Sequence, residues 1–271
     1  MTETNSKFLC SNPNSIFGDN FSNEEIEKWY YEEENGYANL GYVDSETSYY
    51  PYHLMNERFG WSKIGHKLGE VLSLGGAYAA EFEKIACNIT SITVVEPGKK
   101  FWRDEAYGLR LNYVVPNVDG HLDFDNQTFD TITAFGVLHH IPNVTYVFSE
   151  LARVLKPGGN ILLREPIISM GDWSVHRPGL TKNERGIPLS ILGSLAEAND
   201  LIIANQEFMG FSPLIKLCKA LHINFWSSRM LLNLDYLMCK LSLKNYKYHR
   251  ETRLDRFAPS FTFIVLNKKV R

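Results

Sequence analysis

A glycine pair after an apolar run, an acid some twenty residues on and two adjacent histidines are the groups here that could do chemistry. Gly75-Gly76 follow Val71–Leu74 and lead at once into "AYAAEFEKIA". Strand, glycine turn and helix make a cradle for a nucleoside, because glycine lets the backbone approach a ligand closely. Glu96 closes the apolar run "SITVV", twenty-one residues after Gly75. That is where an open α/β sheet places an acid to accept hydrogen bonds from two ribose hydroxyls. A solvated strand-end carboxylate is the bland alternative, and the abrupt apolar-to-acid switch favours the ribose role. His139 and His140 in "LHHIPN", and Glu165 in "LLREP", stand just past two further apolar runs. Imidazole titrates near neutrality and suits a general base. Each has a structural reading as well: a histidine packs a helix entry, and Glu165 pairs with Arg164.

These groups need a scaffold that brings strand ends together. From Leu68 the pattern alternates: "EVLSL", "SITVVEP", "LNYVVPN", "FDTITAFGVL" and "NILLREP" read as strands. Helices are expected over "AEFEKIACNI", "GKKFWRDEAYGLR" and the amphipathic "VTYVFSELARVL", with "KPGG" as the left-handed cap that ends the last. Further on, "IPLSILGSLAEAND" reads as helix, "LIIANQEFMGF" as a sixth strand and "SFTFIVLNKK" as a closing strand. The expectation is an α/β fold, a Rossmann-like doubly wound sheet, mostly parallel with an antiparallel last strand. Residues 1–67 form a helical, tyrosine-rich lid segment, and 68–168 the cofactor-binding core. Residues 169–271 hold a substrate loop, the last strands and a helical cap inserted between them.

Composition narrows the partners. The net charge of −3 argues against a general nucleic-acid binder. No apolar run is long enough for a bilayer span, and "MTETNSKFLCSNPNS" lacks a signal-peptide pattern. Four scattered cysteines without C-x-x-C read as reduced thiols of a cytoplasmic protein, and no metal-like spacing is present, so no metal is expected. Residues 1–60 carry three Lys/Arg against eleven Asp/Glu, a net of −8, while 213–271 carry twelve against three, a net of +9. Either the two ends pair or the basic end meets an anionic ligand, and pairing is the favoured reading. The polar loop Arg164–Pro188 offers His176, Arg177, Lys182 and Arg185 as substrate contacts. The C-terminal helices are a candidate homo-oligomer contact.

A dinucleotide is disfavoured. Registered on Gly75, the G-x-G-x-x-G fingerprint reads Gly75, Ala77, Ala80, and a methyl at the second position obstructs a pyrophosphate. Downstream, "VDGHLDFDNQTFDTITAFGVLHHIPNVTYVFSELARVLKPGGNILLREP" resembles the class I S-adenosylmethionine-dependent methyltransferases. The likeness covers roughly Leu68 to Pro166. It implies that S-adenosylmethionine is the cofactor and a small molecule the substrate. It also implies that the Gly75-Gly76-Ala77 loop holds the methionine and ribose portion and that Glu96 holds the ribose. Asp119 would accept from the adenine amino group beside the Gly120 backbone, with His121 closing the adenine pocket. Phe135 and Gly136 would line the sulfonium pocket. Ser73 stands where the family usually has an acid for the methionine ammonium, and either Glu81 or the water network would have to compensate. The reading that follows is methyl transfer to oxygen or nitrogen of a small polar metabolite, such as a sugar, nucleotide-linked or phosphorylated acceptor. A non-catalytic methyltransferase-like partner subunit is the alternative, and an RNA methyltransferase ranks third.

Overall fold

A computed structural model describes residues 16–39, 50–171 and 176–270, with the backbone alone over 34–39. Cys10 and much of the tyrosine-rich stretch lie outside the described residues. Eight strands are present: β1 (Gly69–Leu74), β2 (Ile89–Val95), β3 (Glu105–Ala106), β4 (Leu109–Val114), β5 (Phe129–Phe135), β6 (Leu155–Pro166), β7 (Leu201–Met209) and β8 (Phe261–Lys268). They form one sheet in the order β3-β4-β2-β1-β5-β6-β8-β7. β4, β2, β1, β5 and β6 are parallel, and β8 runs antiparallel between β6 and β7. The strand order reverses at β1, so β1, β2 and β5 bring their carboxyl ends together at a switch point, where sheets of this kind bind ligands.

The helices are α1 (Asn23–Asn39), α2 (His53–Phe59), α3 (Val144–Val154), α4 (Leu189–Ala198), α5 (Ser212–Ala220) and α6 (Arg229–Ser242). Side chains of β1 alternate between the two faces: Leu72 and Leu74 enter the core beneath α3 and α4, and Val71 the core on the other side. α3 buries Val147, Phe148, Leu151 and Val154 on the first face, as its period requires. α1 opens with a capping box, in which the Ser22 N–H donates to Glu25 Oε2 (2.9 Å) and the Glu25 N–H to Ser22 Oγ (3.4 Å). Among the described residues, no helix is long and apolar enough to cross a membrane.

Three expected features differ. No α-helix connects β1 to β2; short 3-10 turns at Ala80–Phe82 and Ala86–Asn88 stand there instead. Ala77 (φ 44°) and Ala79 (φ 56°) take the left-handed conformation, which breaks helical winding directly after the glycines. Between β2 and β4 there is one 3-10 turn, Lys99–Phe101, and the short β3. The second face is therefore covered by α2, α5 and α6: Met55, Phe59, Cys218 and Leu232 pack there with Phe82 and Ile85 of the irregular segment. Finally, α3 ends at Val154 with Leu155 already extended, so Gly158 (φ 77°) turns the chain within β6 rather than capping the helix.

Part of the acidic end lies outside the described residues, so the charge asymmetry is traced only in part. Among the described residues, Glu32 of α1 pairs with Lys182 of the 176–188 loop, and Lys247 pairs with Asp255 in its own segment.

Candidate functional site

Gly75 begins the turn after β1 with its N–H donating to the Val95 carbonyl (2.8 Å). It has φ 64°, and a Cβ there would come within 2.4 Å of Val137, so glycine is required twice over. The next residues pull a carboxylate inward. Glu81 is buried, and the Ser73 hydroxyl donates to its Oε1 at 2.6 Å. Thr133 Oγ1 lies 3.3 Å from Ser73 Oγ. A Cβ on Gly76 would strike Ser73 Oγ at 2.0 Å. The following turn thus brings a carboxylate to Ser73 of β1. Burial raises the Glu81 pKa, against the Ser73 hydrogen bond and the Arg164 charge.

Glu96 follows β2 and is buried, with Oε2 accepting from the Ala77 N–H (3.2 Å) and Oε1 from the Gly98 N–H (2.9 Å). Burial raises its pKa as well, against those two donors. An ionised carboxylate has about four lone-pair sites, so two remain for ribose hydroxyls. Trp102 donates to the Glu96 carbonyl and stacks on Tyr113, whose hydroxyl donates to the Ala77 carbonyl (2.7 Å). Sequence reasoning missed this aromatic strut; an i, i+11 Trp–Tyr pair has no local signature.

Asp119 is exposed, and its Oδ1 accepts from the His121 N–H. Gly120 is fixed by packing, since a Cβ would meet Val147 at 2.4 Å. The His121 ring reaches Glu150 (2.9 Å) and Asp123 (3.6 Å). The groove of about 900 Å³ that His121 lines with Asp123–Asn126, Thr128 and Arg153 lies before β5, away from the carboxyl ends of the strands. At the far end of β5, Phe135 packs against Trp61 and Phe263. Gly136 (φ 74°) leaves open space among the described residues: of these, a Cβ there would meet only His139 Cε1, at 3.9 Å. That open shelf, the two spare acceptor positions on Glu96 and the Glu81 carboxylate together fit an adenosyl cofactor with a cationic amino-acid end.

The histidines beside the shelf form one buried network. His139 Nδ1 donates to Glu165 Oε2 (2.7 Å), and its Nε2 lies 3.5 Å from Glu184 Oε1. Burial opposes charge on His139, but the hydrogen bond and charge of Glu165, then those of Glu184, raise its pKa to about 9. For Glu184, burial is outweighed by His139 and His140, and the pKa falls to about 2. His140 pairs with Glu33 of α1 (2.9 Å), and burial and the His139 charge lower its pKa. Glu165 accepts from the N–H groups of Val137, Leu138 and His139, so it holds the loop after β5. A carboxylate so committed, unlike the expected general base, is a positioning group.

The expected substrate contacts are placed elsewhere. His176 is exposed. Arg177 donates to the carbonyls of Met170, Thr181, Lys182 and Glu184. Arg185, fully buried, donates to those of Phe17, His139, Ile141 and Pro142. Both guanidinium groups are engaged by backbone. Glu33 and Glu184, which face the histidines, were not singled out from sequence; both sit in acidic or polar runs that read as solvated.

Comparison with known proteins agrees with the fold. Residues 70–163 match the family model described as a methyltransferase domain. The ubiquinone biosynthesis O-methyltransferase of Shewanella pealeana is 26% identical over 100 residues, 36% of this chain and 42% of that protein. The ubiquinone/menaquinone biosynthesis C-methyltransferase of the same organism is 33% identical over 125 residues, 42% of this chain and 49% of that protein. The chain thus spans about half the length of the curated relatives it matches. Among solved structures, the cyclase SpnF superposes with TM-score 0.55 at 13% identity, covering 92% of this chain and 97% of that one. An S-adenosylmethionine-dependent methyltransferase from Mesorhizobium loti gives 0.50 at 13% identity, covering 76% and 94%.

Proposed function

We propose that this chain, whose residues 70–163 belong to the class I S-adenosylmethionine-dependent methyltransferase superfamily, transfers a methyl group to oxygen or nitrogen of a small polar metabolite. The observation that carries the reading is the open Gly136 shelf at the end of β5, with Glu96 on one side and the His139–His140 network on the other. S-adenosylmethionine, when bound, supplies a sulfonium-activated methyl whose leaving group needs no acid. The protein's part is then alignment and exclusion of water. Glu96 would hold the ribose and Glu81 the methionine ammonium, with the acceptor over Gly136 against His139. The O-methyltransferase relatives favour an oxygen acceptor. Sugar, nucleotide-linked and phosphorylated acceptors belong in the first screen because of the basic 213–271 segment. Met230, Leu234, Leu237 and Leu241 form an exposed apolar stripe on α6 that supports a homo-oligomer contact, which sedimentation would read.

One observation favours the second reading, a non-catalytic partner subunit. The turn after Gly76 leads into no α-helix, so no helix N-terminus faces the cofactor. SpnF, with this fold, is named for a different reaction, so fold alone does not fix the chemistry. Calorimetric titration with S-adenosylhomocysteine tests both readings. Saturable binding that Glu96→Ala abolishes supports the enzyme, and acceptor screening with labelled S-adenosylmethionine follows. A folded protein that does not bind refutes it.

A further inference from the structure

We propose that His139, His140 and Glu184 form a binding site for a divalent transition metal of the zinc or cobalt class, next to the Gly136 shelf. One ring nitrogen from each histidine and one Glu184 oxygen lie within 4.8 Å of one another. His139 Nε2 and Glu184 Oε1 are 3.5 Å apart. Two ligands at ~2.0–2.1 Å from a tetrahedral zinc are separated by roughly 3.3 Å. This pair is therefore already spaced for a shared cation, and His140, within 4.8 Å of both, would move inward to complete the set.

The surroundings have the form of an outer ligand shell. His139 turns Nδ1 to Glu165, which fixes the ring and directs Nε2 toward Glu184. A carboxylate behind a histidine in this way sets its tautomer and strengthens it as a ligand. His140 has Glu33 at its Nδ1, and Thr181 holds the acids from behind. The Thr181 hydroxyl donates to Glu33 Oε2 (2.7 Å), and its N–H donates to Glu184 Oε2 (3.0 Å), leaving Glu184 Oε1 toward His139. Glu33, Glu165 and Glu184 are all at least nine-tenths buried. Three buried carboxylates around two imidazoles carry more negative charge than a protonated His139 alone offsets, and a divalent cation would offset the remainder. Buried Arg185 lies close by, but its N–H groups point to carbonyls. Two histidines and one carboxylate are a donor set that suits zinc and its neighbours and leaves positions for another ligand. Sequence spacing did not show the set, because Glu184 lies more than forty residues from the histidines.

Because His139 Cε1 borders the shelf, a cation here would face the acceptor and could bind its oxygen. That role rests on the methyl-transfer reading; the site itself does not. The test uses untagged full-length protein with Cys87→Ser, stripped with chelator and titrated with Zn²⁺ by calorimetry and with Co²⁺ by visible absorption. One-to-one binding is expected, with cobalt bands of low symmetry, weakened at least about 10–100-fold by Glu184→Gln or His139→Gln and unchanged by His176→Ala. Circular dichroism confirms that each variant is folded, and the second ligand variant serves if the first is not. No saturable binding, or binding that both ligand variants leave intact, overturns the proposal and leaves the network a purely internal ion-pair cluster. S-adenosylhomocysteine is titrated separately. Cofactor binding without metal binding sinks this site alone, whereas metal binding without cofactor binding supports the site and counts against the methyl-transfer reading.

Discussion

Replacing Arg185 with Met separates a clamp from a substrate ligand. The guanidinium makes four hydrogen bonds of 2.9–3.1 Å to carbonyls on two segments, Phe17 before α1 and His139–Pro142 after β5. Hydrogen bonds to a charged group contribute about 1.5–3 kcal/mol each, so the gross gain is roughly 6–12 kcal/mol. Against it stands the removal of the charge from water, which is large enough to lower the Arg185 pKa to about 10. Methionine fills comparable space but leaves four buried carbonyls without these donors. Leaving a buried acceptor without its donor costs about 1–3 kcal/mol, so losing several at once takes a large part of a typical total of about 5–15 kcal/mol. Urea unfolding of Arg185→Met should show a lower midpoint at an unchanged slope. Arg185→Lys should recover less than half of the loss, because one ammonium cannot span both segments. A variant within about 0.5 kcal/mol of the parent, the range of ordinary surface substitutions, that weakens acceptor binding instead would refute the clamp and restore Arg185 as a substrate contact.

Gly136→Ala should cost about 1–2 kcal/mol of stability from left-handed backbone strain, with no side-chain clash, since His139 Cε1 is 3.9 Å away. Calorimetry should show weaker S-adenosylhomocysteine binding, because the new methyl occupies the shelf. Ala77→Gly removes a left-handed alanine at φ 44°; the relief of ~1–2 kcal/mol less the entropy of a free glycine should raise stability by up to about 1 kcal/mol in a thermal melt. Asp235, buried in α6, accepts from the N–H groups of Gly210 (2.9 Å) and Phe211 (2.8 Å). Asp235→Asn turns an amide donor toward one of them and should destabilise by about 1–3 kcal/mol, read in urea.

The strands were legible because each is a short apolar run with β-branched residues, and all seven expected runs pair in the sheet. The segment after Gly76 was misread for a specific reason. Phe82 and Ile85 are three apart, a spacing that satisfies a 3-10 turn as well as an α-helix, and no local pattern reports the left-handed conformations of Ala77 and Ala79. Glu96 and Gly136 were readable from their positions at strand ends. Arg177 and Arg185 were not, because a polar loop rich in arginine looks alike whether its charges meet solvent, substrate or backbone. Glu184 was hidden in "TKNERG", and only the return of that loop to His139 gives it a role.

Strand β8, which follows β6 and β7 in the sequence, lies inside the sheet between them. Until it arrives, β6 presents an unpaired edge and β7 has no neighbour at all, so a nascent chain lacking Phe261–Lys268 carries a half-sheet open to pairing with other chains. The two-helix insertion between β7 and β8 lengthens that interval. Emergence of β8, rather than of the strands before it, therefore sets when this sheet can close, and a chaperone or a second copy of the chain would compete for β6 in the meantime.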